Sequence, residues 1–130
     1  MSESVTVRDA TADDMPCILS SWLRSLRHGD KRLSRVKPSL YFPAQRDRIA
    51  SMLEDGSKLV VASFADNPDL ILGWACGRTG RLDYVYTKQA YRNVGIARLL
   101  VEDLCGHGPL RYTQLMDRVH APAGWEYEPR

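Results

Sequence analysis

The sequence predicts a mixed α/β (α+β) fold, with a central sheet flanked by helices, in one domain covering residues 1–130. The hydrophobic period changes along the chain between the alternation typical of strands and the three-to-four-residue steps typical of helices. With 130 residues, of which 44% are hydrophobic, the chain is long enough for one domain and one sizeable core. The pattern gives the order β-α-α-β-β-β-α-β followed by a tail, which is typical of a mixed sheet.

The first strand and helix are indicated by local signals. Residues 5–8 alternate and contain β-branched side chains, which favours a strand. Thr11 and Asp13 offer N-cap oxygens ahead of the helix, and Gly29 is expected to end it. Its apolar residues recur at helical spacing and are predicted to face the core: Met15, Ile18, Leu19, Trp22, Leu23 and Leu26.

The next stretch has weaker signals. Residues 30–40 are basic and lack a clean period, so we expect a loop. Pro43 suits the first turn of a second helix, because proline is tolerated where the backbone N–H has no helical partner. Gly56 follows the expected end of that helix.

The second half of the chain is predicted to contain a hairpin, a further strand, a helix and a last strand. Residues 58–64 and 70–76 are apolar and flank the turn-forming run 66–69, which indicates an antiparallel hairpin. Residues 82–87 alternate as a third strand of this group, and residues 96–104 have helical spacing. Residues 110–116 can form the last strand, before a tail over 117–130.

Charge and cysteine content exclude several classes of protein. Lys and Arg number 18 against 16 Asp and Glu, a formal charge of +2, which disfavours a dedicated nucleic-acid binder. Cys17, Cys76 and Cys105 are odd in number and widely spaced, so we expect no disulfide framework and no CxxC metal site. No apolar run approaches the roughly 18 residues needed to span a bilayer, and the N-terminus lacks secretory-signal features. These observations predict a cytoplasmic protein in a reducing compartment, without membrane partners.

The most informative segment lies between the strand at 82–87 and the following helix. Arg92, Gly95 and Ala97 form the pattern R-x-x-G-x-A, which is neither a P-loop nor a dinucleotide-binding turn. A strand, a loop and a helix N-terminus in succession favour an anion site, because free amides and the positive helix end attract phosphate oxygens. An ordinary strand-to-helix turn with a solvated Arg92 is the simpler alternative.

These residues resemble the acetyl-CoA signature Q/R-x-x-G-x-G/A of the GCN5-related N-acetyltransferase (GNAT) superfamily. Residues 5–14 also resemble the opening strand and helix start of that family, and the resemblance covers roughly residues 5–105. It implies a strand that splays from its neighbour, with the pantetheine of acetyl-CoA in the gap. The compact size and tyrosine-rich strand look most like the short GNAT proteins carried by bacteriophages.

The resemblance implies two sets of cofactor-binding residues. The pantetheine would pair with the backbone of Val85, Tyr86 and Thr87. The pyrophosphate would lie against Arg92, Asn93, Val94, Gly95, Ile96 and Ala97. Asn93 stands where the family has a glycine and Gln89 where a proline is common, but neither change removes a needed amide.

The C-terminal part departs further from the family. Gly124 and Trp125 resemble the family's Gly-Phe step into a closing hairpin, but the sequence ends five residues later. We therefore expect a truncated C-terminal end, with part of the acceptor pocket wall missing or supplied by a partner chain. A homodimer is one way to supply it, since an exposed sheet edge invites pairing.

Three residues are candidates for acid–base chemistry. Asp83, expected on the strand face of Val85 and Thr87, could be the general base; alternatively it pairs with Arg78 or Arg81. His120 stands where the family often has its tyrosine acid, and it could donate a proton or simply be exposed. Tyr112 is another candidate acid, or a half-buried strand aromatic. Tyr84 and Tyr86 could line the acceptor site or pack against the sheet.

The resemblance favours an acetyl-CoA-dependent N-acetyltransferase that transfers the acetyl group directly to a primary amine of unknown class, without a metal. An alternative is a catalytically inactive module of the same fold that binds CoA or a protein partner. The short C-terminus and the missing tyrosine favour this alternative, and the intact R-x-x-G-x-A turn disfavours it. Nucleic-acid binding rests on the basic residues of 30–40 alone and is the weakest hypothesis.

Overall fold

The sheet of the computed structural model, which describes residues 4–92, 94–114 and 122–128, has six strands in chain order. The strands are β1 (Val5–Asp9), β2 (Lys58–Phe64), β3 (Asn67–Arg78), β4 (Arg81–Thr87), β5 (Arg111–Tyr112) and β6 (Glu126–Tyr127). β1 to β4 are antiparallel neighbours, whereas β5 is parallel to β4 and β6 is parallel to β5. The mixed sheet flanked by helices confirms the predicted fold class.

Helices cover both faces of this sheet. They are α1 (Met15–Gly29), α2 (Lys31–Ser34), α3 (Pro38–Glu54) and α4 (Ile96–Cys105), with short 3-10 turns at Ala12–Asp14 and Gln89–Tyr91. α1 and α3 bury their apolar residues with Val61, Trp74 and Tyr84 on one face. α4 packs with Val60, Ala62 and Leu72 on the other face, because successive strand residues point to opposite sides. Two cores therefore sandwich the sheet.

The inner face predicted for α1 is confirmed. Ile18, Trp22, Leu23 and Leu26 are buried, and Met15 and Leu19 pack partly buried against them. Trp22 lies beside Trp74 and stacks on Tyr84, with ring centroids 4.9 and 5.5 Å apart. The helical spacing was enough to find these residues because a single amphipathic face contacts the sheet.

The loop expected over residues 30–40 is wrong. Asp30 accepts a hydrogen bond from the Arg32 backbone N–H (2.9 Å) and caps the one-turn helix α2. α3 then begins at Pro38, so Pro43 lies inside the helix rather than in its first turn. The Tyr41 hydroxyl, buried in the core, donates to the Leu23 carbonyl of α1 (2.5 Å) and holds this irregular segment in place. Tertiary contacts thus outweigh the weak local period.

The predicted hairpin of β2 and β3 is confirmed, although β3 begins at Asn67, before the expected residue 70. The helix expected over 96–104 is α4. Of the last strand expected over 110–116, the structure has β5, and residues 115 and 116 lie outside the described part. β6 occupies part of the expected tail and pairs with β5.

Candidate active site

The segment that joins β4 to α4 contains the 3-10 turn Gln89–Tyr91 and leads into the N-terminus of the helix. Gly95 is the N-cap of α4 and has φ = 88°, a left-handed conformation that glycine adopts readily. Within the described residues, no side chain caps this helix by a hydrogen bond. The first amides of α4, beginning at Ile96, therefore lack the usual side-chain acceptor, which suits an external anion.

The need for glycine at residue 95 comes from its backbone conformation. A Cβ built at Gly95 would meet no described atom within 4 Å. Space inside the protein therefore does not exclude a side chain here, but the positive φ does. The motif R-x-x-G-x-A locates this residue, and its φ gives the reason for the glycine.

Arg92 folds back onto the end of β4. Its Nε donates to the Thr87 carbonyl (2.9 Å), and its guanidinium carbon lies 5.9 Å from the centroid of the Tyr86 ring. Arg92 is exposed, so its positive charge lies at the surface near the end of β4. Asn93, the next residue of the predicted cradle, lies outside the described residues.

β4 and β5 pair at only one end. The register joins Arg81 to Arg111 and Leu82 to Tyr112, and the Thr113 N–H donates to the Leu82 carbonyl (3.1 Å). Among the described residues, β4 makes no further pairing with β5 beyond this point, which we call the β4–β5 fork. The remainder of β4 includes Val85, Tyr86 and Thr87, the residues to which the family resemblance assigns the pantetheine.

The side chains of these residues point to both faces of the sheet. Val85 packs against the core beneath α4, whereas Tyr86 lies half-buried near Trp74, with ring centroids 6.0 Å apart. Tyr84 is buried, and its hydroxyl hydrogen-bonds with Ser25 Oγ (2.9 Å); burial raises the pKa of this phenol. Tyr84 therefore packs against the sheet and does not line the acceptor site, and Tyr86 is the tyrosine that lies near the fork.

Asp83 occupies a β-bulge and a buried polar cluster. Cys76 pairs with Tyr84 and Gly77 with Leu82, which leaves Asp83 as the extra residue of β4. Its side chain is fully buried; one oxygen accepts from Ser57 Oγ (2.5 Å) and the other from Thr113 Oγ1 (2.8 Å).

The expectation that Asp83 shares a face with Val85 is wrong. The bulge turns the Asp83 carboxylate towards Cys76, which belongs to the core beneath α1, whereas Val85 belongs to the core beneath α4. Of the two arginines expected as partners, Arg81 approaches with Nε 3.6 Å from the carboxylate, and Arg78 instead donates to the Asp55 carbonyl. The general-base role of Asp83 stays a prediction.

The two candidate acids are placed differently. Tyr112 is half-buried in β5, with its ring centroid 5.5 Å from that of Tyr127 and 6.5 Å from that of Trp125. Its neighbour Thr113 contacts the Asp83 carboxylate, but Tyr112 itself lies in this separate aromatic group. His120 lies outside the described residues, and the acid roles of both residues stay predictions.

Two residues of the buried cluster were missed by the sequence analysis. Ser57 precedes β2 and Thr113 follows β5, and neither belongs to a motif that could have signalled a contact with Asp83. Cys76 and Cys105 are free thiols, and both are buried. Burial, reinforced by the nearby Asp83 charge, raises the pKa of the Cys105 thiol to about 11.

Comparison with known proteins identifies the fold. No protein-family model matches the sequence, and no curated protein matches it. Among solved structures, yncA of Salmonella typhimurium, determined with acetyl-CoA, matches 78% of this chain and 61% of its own, with a TM-score of 0.52 and 17% identity. A GNAT-family acetyltransferase from Staphylococcus aureus Mu50 matches 78% and 63%, with a TM-score of 0.52 and 14% identity. The chain has the GNAT fold.

A third solved structure with this GNAT fold is the ribosomal-protein-alanine N-acetyltransferase from Brucella melitensis biovar Abortus 2308. It matches 77% of this chain and 68% of its own, with a TM-score of 0.50 and 17% identity. The present chain spans less than two thirds of the length of the first two structures. The narrower resemblance to short bacteriophage members stays a prediction.

Two further properties concern the described residues, 4–92, 94–114 and 122–128. None of their helices is both long and apolar enough to cross a membrane. They also contain no group of three or more His, Cys, Asp or Glu side chains arranged to hold a metal ion.

Proposed function

We propose that this chain is an acetyl-CoA-dependent N-acetyltransferase that transfers the acetyl group directly to a primary amine. One observation carries the proposal: the α4 N-terminus, without a side-chain cap in the described part, follows the strand β4, whose pairing with β5 ends at the β4–β5 fork among the described residues. An anion site beside an open strand edge fits a ligand that has a pyrophosphate and an amide-containing arm. The GNAT fold supports this assignment.

Two parts of the cofactor, the pyrophosphate and the pantetheine, have a proposed position. The amides of Gly95, Ile96 and Ala97 would bind the pyrophosphate oxygens, with Val94, Asn93 and the exposed Arg92 completing the cradle. The pantetheine would lie along Val85, Tyr86 and Thr87. Its amides can then pair with backbone groups of β4 as an added strand would.

The proposed reaction is a single displacement. A neutral amine attacks the thioester carbonyl, the new C–N bond forms and the C–S bond breaks, without a covalent enzyme intermediate or a metal. One proton leaves the amine for a base, and the CoA thiolate takes up a proton from an acid. A β4 backbone N–H beside the carbonyl would stabilise the oxyanion that develops. The residues that the sequence predicts for these roles are Asp83 as the base and Tyr112 and His120 as the acids, and the buried position of Asp83 disfavours its role.

The second candidate function is binding of CoA or a protein partner without catalysis. The observation that favours it is the closed environment of Asp83, whose two oxygens already accept hydrogen bonds from Ser57 and Thr113. A base must reach the proton it removes, and a buried carboxylate with both oxygens engaged is poorly placed to do so. Binding of acetyl-CoA without turnover would distinguish this function from the first.

The proposal also covers the location of the protein, its acceptor and its oligomeric state. We infer a cytoplasmic location, an amine acceptor, and a homodimer that contributes to the acceptor wall. Sedimentation of the purified chain over a range of concentrations tests the dimer, and a single monomeric species at all concentrations would contradict it.

Ala97 offers a matched pair of variants that tests the cofactor site. It is exposed in the first turn of α4, where a carboxylate is favourable to the helix and should not impair folding. Ala97→Glu would place a negative charge against the pyrophosphate, while Ala97→Gln adds similar bulk without charge. We expect calorimetric titration with acetyl-CoA to show the strongest loss of affinity for Ala97→Glu, with Ala97→Gln between it and the native chain.

The outcomes separate the candidate functions. If the native chain does not bind acetyl-CoA, both the transferase and the CoA-binding module are wrong. If it binds, release of free CoA thiol in the presence of a panel of primary amines tests transfer. Binding without any acceptor-dependent thiol release would support the non-catalytic module.

A further inference from the structure

We propose that Asp83 is a positioning residue that fixes the β4–β5 fork, and that it does not act as the general base. This inference rests on the proposed function, because it assigns to Asp83 the width of the gap in which acetyl-CoA would lie. This role explains why the Asp83 carboxylate is buried and why its hydrogen-bond partners lie outside the signature turn.

The Asp83 cluster, formed by Ser57, Asp83 and Thr113, joins three segments that are distant in sequence. Ser57 lies between α3 and β2, Asp83 lies in β4, and Thr113 directly follows β5. Each hydroxyl donates to a different carboxylate oxygen, over 2.5 Å from Ser57 and 2.8 Å from Thr113. Hydrogen bonds to an ionised group are among the stronger ones, so this cluster holds β5 at a defined place.

Thr113, directly after β5, bonds to β4 through both its backbone and its side chain. Its N–H donates to the Leu82 carbonyl (3.1 Å), and its hydroxyl donates to the next residue of β4, Asp83. Among the described residues, these contacts are at the last point of β4–β5 pairing. Val85, where the proposed pantetheine segment begins, is only two residues further along β4.

The bulge supplies the geometry that this attachment needs. Asp83 is the unpaired extra residue opposite Cys76 and Gly77, and a bulge of this kind redirects a side chain. A Cβ on Gly77 would collide with the Arg81 carbonyl, so glycine is required for β3 to approach β4 here. The backbone is thus arranged locally to direct the Asp83 carboxylate towards Ser57 and Thr113.

Charge and access both favour positioning over proton transfer. Arg81 Nε lies 3.6 Å from the carboxylate and is itself mostly buried, which helps to offset the cost of a buried charge. A base must reach the amine, whereas the Asp83 side chain is fully buried and each of its oxygens accepts a hydrogen bond inside the protein. The effect of Asp83 on the reaction would therefore be indirect, because Asp83 holds Thr113 and with it the fork in position.

Two substitutions separate the roles, because each removes one property of the cluster. Asp83→Asn removes the basicity, but its amide can still accept from Ser57 and donate to Thr113. Thr113→Val keeps the carboxylate and the side-chain shape but removes the hydroxyl that holds β5. Thr113→Ser restores that hydroxyl. Thr11→Val is the matched control, since Thr11 Oγ1 donates to another buried carboxylate, Asp14 (3.1 Å), at the start of α1.

We expect Thr113→Val to weaken acetyl-CoA binding about tenfold in calorimetry, the loss that one charge-assisted hydrogen bond can cause. Thr113→Ser should recover most of that affinity, and Thr11→Val should bind like the native chain. In Asp83→Asn, any fall in turnover should accompany a fall in affinity for acetyl-CoA, because the residue acts through the fork. Asp83→Asn with native affinity but abolished turnover, or Thr113→Val with native affinity, would overturn the proposal.

Hydrogen exchange provides a measurement that does not depend on the cofactor. The backbone amide at position 113, corrected for its intrinsic exchange rate, should be less protected in Thr113→Val than in Thr11→Val, because the fork opens when the side-chain contact is lost. If the native chain fails to bind acetyl-CoA, the proposed function is wrong, and equal protection at position 113 in the two variants would then also reject the positioning role. Should Asp83→Asn fail to fold, Thr113→Val and Thr113→Ser still decide the question.

Discussion

Gly95 is a residue whose backbone conformation restricts its replacement. Its φ of 88° lies in the left-handed region, and a Cβ there would contact no described atom. We therefore expect Gly95→Ala to lower the free energy of unfolding by about 1–2 kcal/mol through backbone strain alone. Urea-induced unfolding measures this loss.

Asparagine provides the control for this substitution. It tolerates the left-handed region better than other residues with a side chain, so Gly95→Asn should cost less than Gly95→Ala. Equal costs for both variants would show that a steric contact, and not the dihedral angle, requires the glycine.

Asp14 is the residue from which we expect an acid-dependent loss of stability. Arg8 Nη1 donates to its carboxylate (2.7 Å), as does the Thr11 backbone N–H (2.7 Å). These hydrogen bonds, the one from Arg8 first, lower the pKa of Asp14 from 3.8 to about 2. Since the folded pKa lies below the unfolded one, the stabilisation is complete above about pH 4 and is lost as the pH falls towards 2.

The corresponding measurement is the free energy of unfolding between pH 5 and pH 2. We expect Asp14 to contribute a decrease of roughly 1–2 kcal/mol in this range, and Asp14→Asn to remove that part of the slope. The exposed neighbour Asp13→Asn is the control and should leave the slope nearly unchanged. An identical slope in Asp14→Asn and the native chain would contradict this account.

At the scale of the elements, the contact between β3 and β4 depends on a glycine. A Cβ at Gly73 would lie 2.5 Å from the Tyr86 carbonyl oxygen and 3.2 Å from the Thr87 Cα. Because both atoms belong to the backbone, β4 would have to move away. We expect Gly73→Ala to lower the free energy of unfolding by about 1–3 kcal/mol, as overpacking does.

Thermal and urea unfolding of Gly73→Ala check this expectation. Because the displaced residues, Tyr86 and Thr87, belong to the proposed pantetheine segment, affinity for acetyl-CoA should also fall. A Gly73→Ala protein as stable as the native chain would mean that β3 and β4 can separate without cost.

The elements differ in how well the sequence predicts them. β1, α1 and the β2–β3 hairpin were found because alternation, one apolar face and turn residues act locally. The first turns of α3 were missed because the buried Tyr41 holds them to α1 through a contact distant in sequence. α2 was missed although its Asp30 cap is a local signal, because the helix is only one turn long. β6 was missed because its two residues pair with β5 without forming a local pattern.

At the scale of the whole molecule, ligand binding should raise stability. A ligand that binds only the folded state adds about 2.7 kcal/mol to the free energy of unfolding at 100 times its Kd. If the proposed function is correct, acetyl-CoA should raise the Tm in a concentration-dependent manner, with a smaller rise for Ala97→Glu. Differential scanning fluorimetry measures both, and a Tm independent of acetyl-CoA would count against the cofactor site.

The sequence by itself determined the fold class, the α1 face, the hairpin and the position of the turn around Gly95. These depend on spacing and on residue types whose preferences act over a few neighbours. Only the tertiary structure decided the environment of Asp83. A bulge redirects its side chain, and Ser57 and Thr113 reach it from segments 26 and 30 residues away. Contacts between distant segments depend on strand register, and the pattern of neighbouring residues does not specify which distant residues meet.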